Sequence, residues 1–155
     1  MAYNLGKKFE EQVKTDLQRT FPNSFVLRLP DQQSGYYGSS QNICDFILFT
    51  SGKLFLLECK SHKGNTFPLS NLTQFGKLQK YKDVDGLHAG VILWFTEHDT
   101  VVYVPIESII YLTNEAKKSI NIKDIDGEKY PIYVLPSEKK RTFLTTDYSK
   151  LLEIE

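Results

Sequence analysis

The sequence predicts an α/β fold: a central mixed β-sheet flanked by helices, in one domain over residues 1–155. Three observations predict it. Apolar residues recur every fourth position over residues 3–20, a helical spacing. Two apolar runs, residues 43–50 (ICDFILFT) and 53–60 (KLFLLECK), flank Ser51-Gly52 and read as a β-hairpin. Residues 89–96 (AGVILWFT) are almost continuously apolar, which suits a strand buried on both faces.

Each element has a local cause. In the first helix Leu5, Phe9, Val13 and Leu17 form one stripe, and Pro22-Asn23 ends it. Residues 25–29 (FVLRL) form a short strand stopped by Pro30. Residues 30–42 contain no aliphatic residue and read as a long irregular loop, a length that goes with function or mobility. After the hairpin a helix is expected over 70–82, capped by Ser70 or Asn71, with Leu72, Phe75 and Leu78 on one face. Residues 100–104 pair with 89–96 across the turn Glu97-His98-Asp99. A helix follows over 105–118, opened by Pro105 and closed by Lys117-Lys118. Beyond it come short strands near 120–124 and 131–135 and a last helical turn near 147–154. The order is α-β-β-β-α-β-β-α.

Composition excludes several classes. Of 155 residues 41% are hydrophobic and 25% charged, too apolar for wholesale disorder. No stretch approaches the ~20 apolar residues of a membrane span, and the polar Met1–Gly6 start does not resemble a secretory signal. Two cysteines make no disulfide framework, and no cysteine–histidine cluster has zinc spacing. A cytoplasmic address is expected. The net charge is zero, but residues 1–82 hold 11 Lys+Arg against 6 Asp+Glu, and residues 83–155 hold 8 against 13. The basic half is a candidate surface for a polyanion.

The hairpin carries the chemistry. A two-residue turn at Ser51-Gly52 makes Thr50 face Lys53. Carried back, that register sets Asp45 directly opposite Glu58, with Cβ atoms roughly 4.5–5.5 Å apart. Lys60 lies two residues beyond Glu58 and shares its face. Cys44 and Cys59 then oppose each other on the other face, as buried free thiols. Facing carboxylates repel, and in apolar strands they are costly unless paired or metal-bound. Two outcomes are open: the acids face solvent with Lys60 as an ordinary partner, or they share a divalent cation. Hard oxygen ligands suit Mg²⁺, for which Mn²⁺ can substitute, and the Cys59 carbonyl is a further candidate ligand. Such an ion polarises a phosphoryl group and lowers the pKa of a bound water, while Lys60 orients that water or stabilises developing charge. Glu10 lies beside the first helix's apolar stripe, either reaching this site or serving as a boundary glutamate; Glu11 lies on the far side, in solvent.

Asp45, twelve intervening residues and Glu58-x-Lys60 resemble the D…(D/E)-x-K core of the PD-(D/E)XK nuclease superfamily, and Gly6-x-x-Phe9-Glu10-x-x-Val13 resembles its glutamate-bearing helix. Thr66-Phe67-Pro68-Leu69-x-Asn71 resembles the segment that follows E-x-K in RecU-type Holliday junction resolvases of Gram-positive bacteria and their phages. Cys44 stands where the superfamily has proline, and the chain is shorter than typical RecU proteins. The resemblance implies a restriction-endonuclease-like core and a Mg²⁺-dependent endonuclease that acts as a homodimer on four-way DNA junctions. It implies Asp45 and Glu58 as metal ligands, Lys60 as the catalytic lysine and Gln74 as a polar residue near the site.

Residues 53–82 hold six lysines with Glu58 as the only acid, and Lys63, Lys77 and Lys80 are candidate phosphate contacts. Tyr36 and Tyr37 either anchor the long loop or stack on unpaired bases. His62 either touches phosphate or is a solvated loop residue; His88 and His98 read as turn residues, and Trp94 as packing. Two rival functions stand beside the resolvase: a repair- or restriction-type nuclease for other DNA, and a non-catalytic DNA-binding module on the same fold.

Overall fold

The computed structural model describes residues 5–30, 42–72, 75–125 and 130–154. Its element order is α1 (Leu5–Thr20), β1 (Phe25–Arg28), β2 (Phe46–Thr50), β3 (Lys53–His62), β4 (Thr66–Pro68), α2 (Phe75–Gln79), β5 (Leu87–Phe95), β6 (Thr100–Pro105), α3 (Ile106–Asn114), β7 (Ser119–Asn121), β8 (Tyr133–Leu135), β9 (Ser137–Lys139) and β10 (Leu144–Thr146). Three 3₁₀ turns, Leu69–Asn71, Ile122–Asp124 and Ser149–Glu153, complete it. A six-stranded sheet runs β1-β2-β3-β5-β6-β8, with β4–β7 and β9–β10 as two-stranded satellites. Only the central β3–β5 pair is parallel; the other ladders are antiparallel. The mixed sheet flanked by helices is therefore as expected.

The parallel pair needs a crossover, supplied by residues 63–86, and both its strands are largely buried, as parallel strands require. On one face α1 lays Phe9, Val13 and Leu17 against Phe46, Leu48, Phe55 and Leu57. On the other, α2 and α3 cover Leu56, Ala89, Val91 and Leu93 with Leu78, Ile106 and Ile109. The turn at Ser51 and Gly52 has both residues at positive φ (52° and 77°), the geometry of a tight two-residue hairpin. No helix among the described residues is long and apolar enough to cross a membrane.

The helix ends differ from expectation. Residues 70–82 do not form one helix. A 3₁₀ turn ends at Asn71, Leu72 leaves helical geometry at ψ 76°, and α2 spans only Phe75–Gln79. Leu72 and Leu78 are still buried, so the apolar spacing was sound while the backbone was not continuous. α3 stops at Asn114 because Ala116 turns to φ 59°, with Ala116 N–H bonded to Thr113 O (3.0 Å) and Lys117 N–H to Leu112 O (2.9 Å). That pair of bonds is a Schellman closure with alanine where glycine is usual. The β9–β10 hairpin was not foreseen. It is tied to α1 by Asp16, only 1% exposed, whose carboxylate accepts from Thr146 N–H (3.0 Å), Gln12 Nε2 (2.9 Å) and Arg19 Nη1 (2.8 Å). His88 lies in β5, not in a turn, with its ring stacked on Phe55 at 5.0 Å.

Gly90 leaves no room for a side chain: a Cβ there would stand 2.6 Å from the buried Tyr103 ring of β6. Gly90→Ala is therefore expected to destabilise the fold by about 1–3 kcal/mol. A lower urea midpoint at unchanged m-value is the measurement that checks it.

Candidate active site

The site forms where the β2–β3 ladder ends. Regular pairing runs from Thr50↔Lys53 back to Phe46↔Leu57, the register expected from the turn. Asp45 then departs from it. Its N–H bonds to the Leu57 carbonyl (3.0 Å), although Leu57 already opposes Phe46. Two residues of one strand thus face one of the other, a bulge, so Asp45 is not directly opposite Glu58. Its own carbonyl accepts from Leu29 N–H (2.9 Å), which fastens it to the end of β1. Its Oδ2 accepts from Cys59 N–H (2.8 Å), reaching along β3 past Glu58. In a strand, the C=O and N–H of one residue point the same way. The Cys59 carbonyl therefore faces the edge where Asp45 sits.

The bulge also corrects the cysteine pairing. One extra residue reverses the facing of everything before it. Cys44 is buried with Leu56, Leu78 and Ile106 on the α2–α3 side, whereas Cys59 is buried with Phe9 and Leu57 on the α1 side. They do not oppose each other on one face. Burial pushes the Cys44 thiol up to about 12 and raises Cys59 well above the usual range, so both remain unreactive thiols.

Glu58 is 7% exposed, which removes the reading of solvent-facing acids. Its carboxylate borders a small apolar gap among Leu72, Phe75, Leu78, Val91, Ile106 and Ile109. Oε1 lies 3.5 Å from Lys60 Nζ, and Oε2 is buried without a hydrogen-bond partner. Burial is the first cause that lifts the Glu58 pKa to about 7; the Asp45 charge adds to it, Lys60 opposes it, and Glu10 adds a smaller push. Glu10 thus acts electrically on the site from α1. It also meets Arg28 of β1, Nη2 to Oε1, at 3.7 Å. Arg28 was not singled out from the sequence. The available signal was a charge alternating with Val26 in an apolar strand, on the face that packs α1.

Among the described residues no group of three or more His, Cys, Asp and Glu side chains is arranged to hold a metal ion. The donors are carboxylate oxygens, with a carbonyl at the same edge. Mg²⁺ commonly takes one or two protein carboxylates and keeps waters. The unpartnered Glu58 Oε2 is a lone pair that a cation would satisfy. The residues therefore fit a hard divalent ion.

Of the lysines, Lys63 and Lys80 are exposed and Lys77 is half-buried. Lys53 is engaged elsewhere: its Nζ donates to the carbonyls of Leu152 and Ile154, both at 2.9 Å. His62 packs edge-on against Phe67 and Phe95, with ring centroids 5.5 and 6.3 Å away. Gln74, Tyr36 and Tyr37 lie outside the described residues.

A family model described as RecU, recombination protein U, matches residues 27–146. A search of curated proteins finds no match. Among solved structures, the fold resembles Hjc, a Holliday junction resolvase from the archaeal hyperthermophile Archaeoglobus fulgidus. The TM-score is 0.56 at 19% identity, covering 76% of this chain and 89% of that one. The family match spans more than half of the chain and includes the Asp45–Lys60 segment, and this chain belongs to the RecU (recombination protein U) family.

Proposed function

We propose that the protein is a divalent-metal-dependent endodeoxyribonuclease that resolves four-way DNA junctions as a homodimer in the cytoplasm. Membership of the RecU family and a fold shared with a junction resolvase support this reading. The single observation that carries it is Glu58. A carboxylate buried in an apolar layer, with one oxygen unpartnered and another carboxylate raising its pKa, is poorly explained as a structural element.

In this reading Asp45 and Glu58 hold the ion, Mg²⁺ or Mn²⁺, with the Cys59 carbonyl as a further ligand. The bound ion supplies Lewis acidity toward the scissile phosphate and a more acidic water. Cys59 N–H fixes the Asp45 carboxylate, so its orientation needs no adjustment when substrate arrives. Lys60, 3.5 Å from Glu58 Oε1, orients the attacking water and stabilises charge on the phosphate. Glu10 adds negative charge, and Arg28 tempers it. Lys63, Lys77 and Lys80 grip the phosphate backbone without reading sequence. Gln74 assists at the site, and Tyr36 and Tyr37 anchor the long loop or stack on unpaired bases.

Junction and matched linear duplex, each incubated with Mg²⁺ or EDTA, test the reading. Paired nicks in the junction alone, requiring Mg²⁺, are expected. Cutting of both substrates points to a general nuclease, and binding without cutting to a non-catalytic module. Glu58→Ala is expected to abolish cleavage while leaving junction affinity within about twofold. Lys60→Ala is expected to slow single-turnover cleavage on the order of 10²–10³-fold. Unchanged cleavage in Glu58→Ala would remove the site assignment.

Glu58 also sets a pH dependence of stability without metal. Its pKa rises from 4.5 to about 7 on folding, so the folded state holds the proton more tightly. The folded state's advantage is intact below pH 4.5 and is lost as pH rises through 7. Glu58→Gln is therefore expected to stabilise the metal-free protein at pH 8, by up to about 3 kcal/mol, and to change little at pH 4.5. Urea unfolding in EDTA at the two pH values checks this. Added Mg²⁺ should stabilise wild type at pH 8 more than the variant.

A further inference from the structure

Trp94, the chain's single tryptophan, packs against the core on one side only. Its ring lies against Phe9 of α1, with centroids 5.3 Å and planes 37° apart. Beyond that pair a cleft of about 400 Å³ opens between α1 and the β9–β10 hairpin, a volume within the usual range of small-ligand sites. Trp94 is half-buried, yet its Nε1 is shut off from solvent without a hydrogen-bond partner, so the indole shows the cleft its carbon ring rather than its N–H. Phe143, 44% exposed at the hairpin's tip, is a second aromatic wall. Leu144 beside it makes the core contact, and Phe143 stays outside. The walls are held in place without a ligand. Lys140 N–H closes the tip on Phe143 O (2.7 Å). Thr146 is gripped from α1 twice: its N–H donates to Asp16 Oδ2 (3.0 Å), and its carbonyl accepts from Arg19 Nη2 (3.0 Å). The rim is polar. Gln12 gives its Nε2 to Asp16 (2.9 Å), which keeps its carbonyl oxygen as an acceptor, and Thr142 adds a hydroxyl. Lys8 and Glu11 stand on the helical rim. On the hairpin Lys139 pairs with Asp99 (3.3 Å) and Lys140 with Glu138 (3.1 Å), while Arg141 is exposed and has no ion pair among the described residues.

We propose that this cleft takes one unpaired nucleobase of a DNA strand, stacked on Trp94 and Phe143, with Arg141 on the adjoining phosphate. Three features favour a base over an apolar side chain of a peptide. First, the lining is aromatic carbon, and every base has a flat face that stacks on such a surface whatever its sequence. Second, the polar rim offers the base edge an acceptor and a hydroxyl, and Arg141 offers the strand a cation beside the aromatic wall. Third, the cleft lies beside the acids. Glu58 pairs with Val91, and Trp94 follows Val91 by three residues along β5, about 10 Å. Glu58 faces α2 and α3, whereas Trp94 faces α1, at the same end of the sheet. A strand whose phosphate sits at Glu58 therefore turns over the sheet end to bring a neighbouring base into the cleft. A base held in a duplex stack does not make that turn without leaving its partner, so the cleft selects unpaired nucleotides. That the strand is the one being cut rests on the proposed function; the cleft and its aromatic lining do not.

Because Trp94 is the single tryptophan, its fluorescence reports the cleft directly. The full chain, in EDTA, is titrated with a short oligothymidylate, with an abasic strand of the same length, and with free thymidine monophosphate. Saturable quenching by the oligothymidylate is expected, with little from the abasic strand or the free nucleotide. Phe143→Ala is expected to weaken the oligothymidylate on the order of 10-fold. Arg141→Ala is expected to lower the slope of log affinity against log salt by about 0.7. Phe49→Ala, at an exposed aromatic residue on β2, is expected to change neither. Circular dichroism checks folding; if Phe143→Ala unfolds, the comparison of thymidylate with abasic strand in wild type carries the test. Absence of quenching, or equal quenching by the abasic strand, overturns the proposal. Equal quenching by the free nucleotide overturns the DNA strand as the source of the base. Binding indifferent to Phe143→Ala in a folded variant also overturns the proposal. Junction cleavage with Mg²⁺ is scored separately. Cleavage without base-dependent quenching keeps the function and loses the cleft; base-dependent quenching without cleavage keeps the cleft and loses the function.

Discussion

The β2–β3 ladder stops one residue short of Asp45, and the candidate site depends on that stop. While the ladder holds, the backbone groups of β2 are shared between β1 on one side and β3 on the other. Once it ends, the Leu57 carbonyl takes a second donor, Cys59 N–H is released to the Asp45 side chain, and Leu29 closes the other side. The main chain of Asp45 is thereby fixed on both flanks and its carboxylate by Cys59 N–H, at the end of a strand rather than on its face. Such a position is stiff because its partners belong to the core sheet. It is also open, because the sheet beside it has ended.

Glu58 depends on the same stop and on the parallel pair. β3 is central, flanked by β2 and β5, so a side chain on its α2–α3 face enters an apolar layer. Burial and Asp45 together disfavour its ionised form, and Lys60 recovers part of the loss. The neighbourhood is thus poised between a proton and a cation. Glu10 and Arg28 extend the charged group to α1 and β1, so four elements converge on one end of the sheet.

The sheet also separates its two apolar tasks. α1 seals one face with help from the β9–β10 hairpin, which Asp16 and Arg19 clamp to the helix. α2 and α3 seal the other face only in part. A five-residue α2 covers the rows nearest the site and leaves the Phe25–Phe49 row at the far end. A full helix over 70–82 would have extended that cover. The shortness of α2 thus leaves that corner of the sheet exposed.

Much was legible in the chain itself: the α1 stripe, the hairpin and its register, the doubly buried β5, and the placement of Glu58 and Lys60 on one strand face. These are periodic features with local causes, and residue spacing reports them directly. The facing of Asp45 and Cys44 was not legible, because a bulge inserts one unpaired residue without marking its position in the residue types. Nor were the burial of Asp16, the diversion of Lys53 to the C-terminal carbonyls, or the meeting of Glu10 with Arg28, since each joins residues far apart in the chain. Sequence alone determined which strand would carry Glu58 and Lys60 on one face, because side-chain alternation is set by the backbone's own period. Only the tertiary structure decided that Glu58 is buried and that Asp45 turns out of register, because both depend on which neighbours cover a strand and where its partner ends.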